Sequence, residues 1–295
     1  MKRAIATFLF IAASGCTSEA IDTRIPGADP GAVSSGAAFD LARHGLRPCG
    51  YTLAYDTVDL GGGTGHQDLI ATVTYDAAGN DVLEEAVDLA GAYQYRDASD
   101  YDAAGHLVHA LAEHVDYPTQ EFTLVYDAGG HLVRYAGDEG PDGVEDWVAT
   151  YTYDADGVRT GAHLVFASTT YDRIYRYGDD GRLIELAKDV GPDGVIDTRT
   201  AYAYDDDARI ESRTLTDANG AVIGTGSTTY DDRNHVLAVT DSQTQGDFTK
   251  TIWETTAYDG DRPTTDDFGS KDVRTSDQAI QSATNRMTWV YSGCP

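Results

Sequence analysis

From about residue 70 the chain alternates apolar and polar positions with a period of two, the mark of β-strands with one face turned to a core. Tyr151 and Tyr153, Tyr175 and Tyr177, and Tyr202 and Tyr204 each share one face of their strand, with an outward residue between them. The alternation breaks at regular intervals. Tyrosines followed by turn residues stand at Tyr75, Tyr101, Tyr126, Tyr153, Tyr177, Tyr204, Tyr230 and Tyr258, 24 to 28 residues apart, which marks an internal repeat. Aspartate follows seven of the eight; after Tyr177 come Gly178 and Asp179.

Four residues beyond the tyrosine stand Gly79, Gly105, Gly130, Gly157 and Gly181, then Ala208, Asn234 and Arg262. In Tyr-Asp-x-x-Gly the aspartate caps a turn, two residues take right-handed backbone, and the glycine takes the left-handed conformation that closes a hairpin. Asn234 adopts that conformation at modest cost, whereas Ala208 and Arg262 predict looser turns. Two residues past the glycine position come Leu107, Leu132, Leu183, Ile210 and Val236, so stacked hairpins predict a ladder of tyrosine rings and aliphatic side chains. The expectation is an all-β, antiparallel hairpin array of sixteen strands, a strongly twisted or spiralling sheet that is open or partly closed. Tyr55-Asp56 reads as a decayed ninth copy.

The units Tyr175-Arg176-Tyr177-Gly178-Asp179-Asp180-Gly181-Arg182-Leu183, Tyr126-Asp127-Ala128-Gly129-Gly130-His131-Leu132 and Tyr101-Asp102-Ala103-Ala104-Gly105-His106-Leu107 resemble the YD repeat of the Rhs family, over roughly residues 70–265. In that family long arrays coil into a β-shell around a toxin or form adhesive scaffolds at the cell surface. This array is short, and only about thirty residues follow its last unit. The resemblance therefore implies a twisted antiparallel sheet at the cell exterior without a toxin domain.

The N-terminus changes the picture of where the array works. Lys2 and Arg3, an apolar run and then Ala13-Ser14-Gly15-Cys16 read as a signal peptide over residues 1–15, too short for a membrane span. The tetrad resembles a bacterial lipobox, which makes Cys16 the lipidation site; the alternative is an ordinary signal peptide with a nearby cysteine. Residues 16–48, rich in Gly, Ala, Ser and Pro, read as a lipidated tether, and residues 49–295 as the repeat domain with terminal caps. Thr17 after Cys16 points by resemblance to the outer membrane or cell surface. Cys49 and Cys294 are expected to pair in an oxidising compartment, tying the two ends of the domain, unless both stay free.

Composition narrows the partners. The chain carries 49 acidic against 21 basic residues, a net of −28, and losing Lys2 and Arg3 takes it to −30. Such a surface excludes nucleic acid and favours cations or basic partners, or serves solubility alone. Two loops of the form Asp-x-Gly-Pro-Asp-Gly-x-x-Asp resemble the calcium loops of thrombospondin type 3 and dockerin repeats. They offer Asp138, Asp142 and Asp146, and Asp189, Asp193 and Asp197, as possible calcium ligands. Their position 3 is Gly140 or Gly191, and no acid stands at position 12, so affinity is expected to be weak; the competing reading makes each loop a capped turn.

His106, His109 and His114 invite a zinc reading, but His106, His131 and His235 share the offset five past the tyrosine, where other copies have Asn80, Arg182 and Arg209. That offset reads as a polar strand position exposed beside a turn. Gly61-Gly62-Gly63-Thr64-Gly65 lacks the Lys-Ser/Thr ending of a phosphate loop, and no nucleophile, base and orienter are nominated together. The expectation is thus not an enzyme but a surface scaffold binding a glycan or an envelope protein. The alternatives are a structural lipoprotein with a protein partner and an all-β hydrolase.

Overall fold

The computed structural model describes residues 48–58, 64–115, 117–166, 169–260 and 262–291. The signal peptide, Cys16, the tether up to residue 47 and Cys294 lie outside them. Eighteen strands run in chain order: β1 (Gly50–Val58), β2 (Thr64–Tyr75), β3 (Asp81–Asp88), β4 (Tyr93–Tyr101), β5 (Leu107–His114) and β6 (Tyr117–Tyr126). Next come β7 (Leu132–Glu139), β8 (Trp147–Tyr153), β9 (Arg159–Phe166), β10 (Thr169–Tyr177), β11 (Leu183–Val190) and β12 (Thr198–Tyr204). The last six are β13 (Ile210–Asp217), β14 (Val222–Tyr230), β15 (Val236–Gln245), β16 (Phe248–Asp259), β17 (Arg262–Arg274) and β18 (Ile280–Val290).

Each strand pairs antiparallel with its neighbours in sequence, and β1 pairs with both β2 and β18, from Gly50 opposite Val290 to Val58 opposite Ser282. The sheet is therefore a closed up-and-down barrel. This corrects the open or spiralling array, the shell-like coil implied by the Rhs resemblance, and the count of sixteen strands. The reason is edge chemistry: an open end leaves a row of unpaired N–H and C=O groups, and closure removes both edges.

The repeat unit is the turn at one rim. Where the tyrosine-aspartate pair stands, the aspartate amide donates to the carbonyl four residues on, as in Asp76 to Asn80 and Asp102 to His106, both at 2.9 Å. The aspartate carboxylate accepts amides inside the turn, for example Asp127 from Gly129 (2.8 Å) and His131 (2.9 Å). Gly79, Gly105, Gly130, Gly157 and Gly181 have φ between 78° and 91°. The strand register slips by one residue at each tyrosine from Tyr75 to Tyr258, giving a bulged hairpin.

The looser turn expected at Ala208 does not occur. Ala208 takes φ of 67° and closes the same hydrogen bonds as the glycines, its amide to Asp205 at 3.0 Å. At Arg262 the turn is instead shortened: Gly260 takes the left-handed conformation (φ 65°), and Pro263 opposes Tyr258 in the place of the aliphatic residue.

Successive hairpins are joined by seams built from the same residues. The hydroxyls of Tyr153, Tyr204, Tyr230 and Tyr258 donate to the carbonyls of Leu132, Leu183, Ile210 and Val236 of the preceding unit, at 2.7 to 3.1 Å. The residue five past one tyrosine lies on the ring of the next, as His106 does on Tyr126 (4.5 Å), His131 on Tyr153 (4.9 Å) and His235 on Tyr258 (4.4 Å). Arg182 and Arg209 lie the same way over Tyr204 and Tyr230. This corrects the reading of that offset as merely an exposed polar position: His235 is 0% exposed.

The ninth unit is Tyr291, not Tyr55-Asp56. Its hydroxyl donates to the Pro263 carbonyl (3.0 Å) and Arg262 lies over its ring, while Tyr75 donates to Pro48 (2.9 Å). Tyr291 and Pro48 thus take the tyrosine and acceptor places of a hairpin at the point where β18 meets β1.

Alternate residues of each strand line the inside, where Leu107, Leu124 and Leu132 form one buried cluster and Leu164, Tyr171, Tyr175, Leu183 and Leu186 another. No helix among the described residues is long and apolar enough to cross a membrane.

Candidate functional site

The inward face of β1 to β5 holds a buried polar cluster. Ala71 on β2 and Ala86 on β3 are small, so tyrosines from the flanking strands close over them. The Tyr51 hydroxyl (β1) donates to Glu84 Oε1 at 2.5 Å, and the Tyr95 hydroxyl (β4) to the same oxygen at 2.7 Å. The two hydroxyls also meet each other. Trp289 meets Tyr51 edge-on at 5.4 Å, and the His114 ring stacks on Tyr95 at 5.4 Å, with its Nε2 3.6 Å from Asp97. Burial pushes both tyrosine hydroxyls well above their ordinary range, and the Glu84 charge adds to it. Burial also pulls the His114 imidazole down, against the charge of Glu84. With its tyrosines held protonated, the cluster is a set of donors around one carboxylate.

A second buried acid sits on β17. Asp266 is 4% exposed, accepts the Thr256 hydroxyl at 3.0 Å, and has its carboxyl pushed up to about 7, chiefly by burial. Sequence reading missed both acids. The available signal was a charged residue at an inward position of the two-residue period, visible only once the facing direction of each strand is fixed.

The two Pro-Asp-Gly loops lie at the opposite rim, after β7 and β11, and their carboxylates serve backbone amides. Asp138 accepts from Asp142 (3.3 Å) and Gly143 (2.8 Å), Asp142 from Val144 (2.9 Å), and Asp146 from Glu139 (2.6 Å). Asp189, Asp193 and Asp197 repeat this pattern with Asp193, Gly194, Val195 and Val190. Each loop is also bound to the strand before its hairpin, Gly140 to Thr119 and Gly191 to Thr170. Among the described residues no group of three or more His, Cys, Asp or Glu is arranged to hold a metal ion.

His106, His109 and His114 do not converge. His106 belongs to a turn, paired with Asp102 (3.0 Å); His109 bridges Asp100 (3.1 Å) and Glu121 (2.8 Å) on the outer face; His114 points inward. Cys49 is disulfide-bonded, while its expected partner Cys294 lies outside the described residues.

The outward face is mixed, with Ile70, Val125, Val165 and Ile174 exposed on it beside ion pairs. Arg96 pairs with Glu113 (3.1 Å), His163 with Asp172 (2.5 Å), Arg199 with Glu185 (2.8 Å) and Arg286 with Asp267 (2.6 Å), among threonines.

Fold and site together define a closed, eighteen-stranded antiparallel barrel whose inner wall carries tyrosines and buried charged residues and whose outer face carries ion pairs among exposed aliphatics. No family model matches the chain, and no curated relative matches it. It is similar to a solved porin-like protein from Bacteroides uniformis, at 11% identity over 83% of this chain and 96% of the other, with a TM-score of 0.41. It is also similar to a DUF1329 family protein from Desulfovibrio piger, at 8% identity over 86% and 91% of the chains, with a TM-score of 0.23. In the Tc holotoxin pore of Photorhabdus luminescens it matches at 16% identity over 74% of this chain but only 12% of that one, with a TM-score of 0.37. Likenesses this distant carry no functional argument. Membership of the Rhs family, expected from the tyrosine-aspartate units, is corrected here: no family model supports it, and the hairpins close on themselves in eighteen strands.

Proposed function

We infer that this is an exported envelope protein, held to a membrane through lipidated Cys16, whose barrel is a non-catalytic scaffold meeting a glycan or an envelope protein. The observation that carries this reading is the set of ion pairs spread over the outer face. Tyrosine, leucine and alanine fill much of the inner face, while Arg96, His109, His163, Arg199 and Arg286 pair with carboxylates on the outer one.

A barrel that spans a bilayer needs a continuous apolar outer band about 25 Å tall, which these outer ion pairs interrupt, and an arginine at its midplane costs about 2 to 4 kcal/mol. The barrel therefore fits an aqueous position beside the membrane better than a place within it. Its outer charges and rim loops are what a partner meets.

Cell fractionation and in-cell photo-crosslinking test this. Wild-type protein is expected in the membrane fraction and Cys16→Ser in the soluble one. Crosslinkers at outward positions such as Thr150 and Thr225 are expected to capture one dominant envelope component, or a glycan array to give a defined set of signals. Cys16→Ser that stays in the membrane and resists carbonate would overturn the aqueous placement. Blank arrays together with no dominant crosslink would overturn the scaffold.

The pairing of Cys49 with Cys294 belongs to the same proposal, since Pro48 and Tyr291, close to these cysteines in sequence, stand at one rim. Peptide mapping without reductant is expected to recover the two cysteines in one linked species. For the two rim loops we propose the capped-turn reading over weak calcium binding: their carboxylates already serve backbone amides, so melting midpoints in calcium and in chelator are expected to agree within about a degree, and a clearly higher midpoint in calcium would restore the calcium reading.

A further inference from the structure

Neighbouring hairpins stop pairing short of the turn rim, and a side chain closes the gap that this leaves between their turns. β5 and β6 pair only as far as His109 opposite Thr123, and β3 and β4 as far as Leu83 opposite Ala98. Between β5 and β6 the gap is filled by the His106 ring, 4.5 Å from the Tyr126 ring and 3.3 Å from where a side chain on Gly130 would begin. His131 fills the next gap in the same way, 4.9 Å from the Tyr153 ring and 2.6 Å from the corresponding point on Gly157. Two units carry a shorter residue at this offset, Asn80 and Val158. Beside Val158, Arg159 reaches over the Tyr175 ring of the following hairpin at 5.8 Å.

Beside Asn80 the gap stays open. Its amide nitrogen donates to Asp76 of its own turn at 2.9 Å, and a side chain on Gly105 in the next turn would meet nothing within 4 Å. The space is a cleft of about 670 Å³, lined among others by Asn80, Arg96, Ser99, Asp100, Tyr101 and Asp102. Small-molecule sites run from about 300 to 1,000 Å³. The charged groups of the cleft already have partners in the wall. Asp76 accepts the amides of Gly79 (2.6 Å) and Asn80 (2.8 Å), and Asp102 those of Ala104 (2.8 Å) and His106 (2.9 Å). Asp100 pairs with His109 (3.1 Å) and Arg96 with Glu113 (3.1 Å), so the cleft calls for no counter-ion. Carboxylates have further lone pairs to offer and a guanidinium has five N–H groups, while the Ser99 hydroxyl both donates and accepts. A ligand that fits this lining carries several hydroxyl groups, each donor and acceptor, on a ring with an apolar face for Tyr101.

We propose that this cleft between the first two turns binds a neutral sugar unit of a glycan. Arg96, Ser99 and Asp100 hydrogen-bond its hydroxyls, and Tyr101 packs against its ring. The proposal rests on the scaffold reading and deepens it, because it gives the glycan one place on the barrel.

The test is titration calorimetry of the full chain with the methyl glycosides of glucose, galactose, mannose and N-acetylglucosamine, and with sodium glucuronate as the anionic control. At least one neutral glycoside is expected to give saturable heat, and glucuronate none. Asn80→His places in this gap the residue type that fills those at His106 and His131, so it is expected to fold with a urea midpoint no lower than wild type and to weaken binding at least about tenfold. Asp100→Ala, at a side chain 76% exposed, is expected to keep the urea midpoint and to weaken binding about tenfold, the worth of a hydrogen bond to a charged group. It decides the matter if Asn80→His does not fold. No saturable heat with any of the four glycosides, binding of equal strength in wild type and both variants, or glucuronate bound as tightly as they are overturns the proposal. A dominant crosslink to an envelope protein without sugar binding removes the cleft and leaves the scaffold reading standing.

Discussion

At the scale of single residues, the side chains that break the two-residue rule carry the testable chemistry. Asp266 is an acid on the inner face beside Glu254, its carboxyl pushed up to about 7 chiefly by burial, so that the two carboxyls together keep a proton in the folded barrel that the unfolded chain loses above about pH 4. Between those values the folded state binds more protons, so stability falls as pH rises, by up to about 1.4 kcal/mol per pH unit, and levels off above the folded value. Asp266→Asn keeps an acceptor for Thr256 and is expected to flatten that slope in urea titrations from pH 4 to 7; an unchanged slope would place the proton elsewhere. The turn aspartates work in the opposite direction. Asp76, Asp102 and Asp127 are held below their ordinary value, first of all by the amide four residues on, so their contribution is lost as pH falls through the acid range. His235, stacked on Tyr258 and paired with Asp231 at 2.8 Å, is fully buried. His235→Ala is expected to cost about 2 to 4 kcal/mol, and the same change at His131, whose side chain is 36% exposed, clearly less. Equal urea midpoints for the two variants would refute the seam role.

At the scale of the hairpin, one turn geometry is imposed even on a residue that resists it. Ala208 is held at φ 67° because Asp205 still accepts the amides of Asp207 (3.0 Å) and Arg209 (2.9 Å), and Arg209 is fixed over the next tyrosine. Left-handed backbone costs a non-glycine residue roughly 1 to 2 kcal/mol. Ala208→Gly is therefore expected to raise unfolding free energy by about 1 kcal/mol, read from the urea midpoint at constant slope; a loss would mean that the conformation is unstrained. The sequence made this element legible because tyrosine, aspartate and glycine act within a few residues of each other. It hid the seam, because the ring on which His106 rests belongs to Tyr126 in another hairpin, and polarity at that offset looked sufficient to explain itself.

At the scale of the whole barrel, stability depends on a ring of like seams, one of which lies where β18 meets β1. Tyr291→Phe removes the hydroxyl that donates to Pro263 and is expected to cost about 1 kcal/mol, as is Tyr153→Phe at an internal seam. If the closing seam is equivalent to the others, the two variants unfold in one transition with similar midpoints; a separate early transition in Tyr291→Phe would show that the ring opens there first. Closure also fixes which face is inside. Gly226 is one consequence: a side chain there would collide with Arg213 and Asp241, which form an ion pair across it on the inner wall.

The sequence by itself determined the hairpin unit, the strand faces and the turn rim, since these follow from local backbone sterics and a two-residue period. It also carried the candidate anchor at Cys16 and the acidic balance of the chain. Only the tertiary structure decided that the sheet closes, that Tyr291 is the ninth tyrosine, that the Pro-Asp-Gly aspartates serve backbone amides, and that Glu84, Asp266 and Arg159 face a common interior. Closure sums the twist and pairing of all eighteen strands and brings β1 against β18, so no short window of sequence contains it.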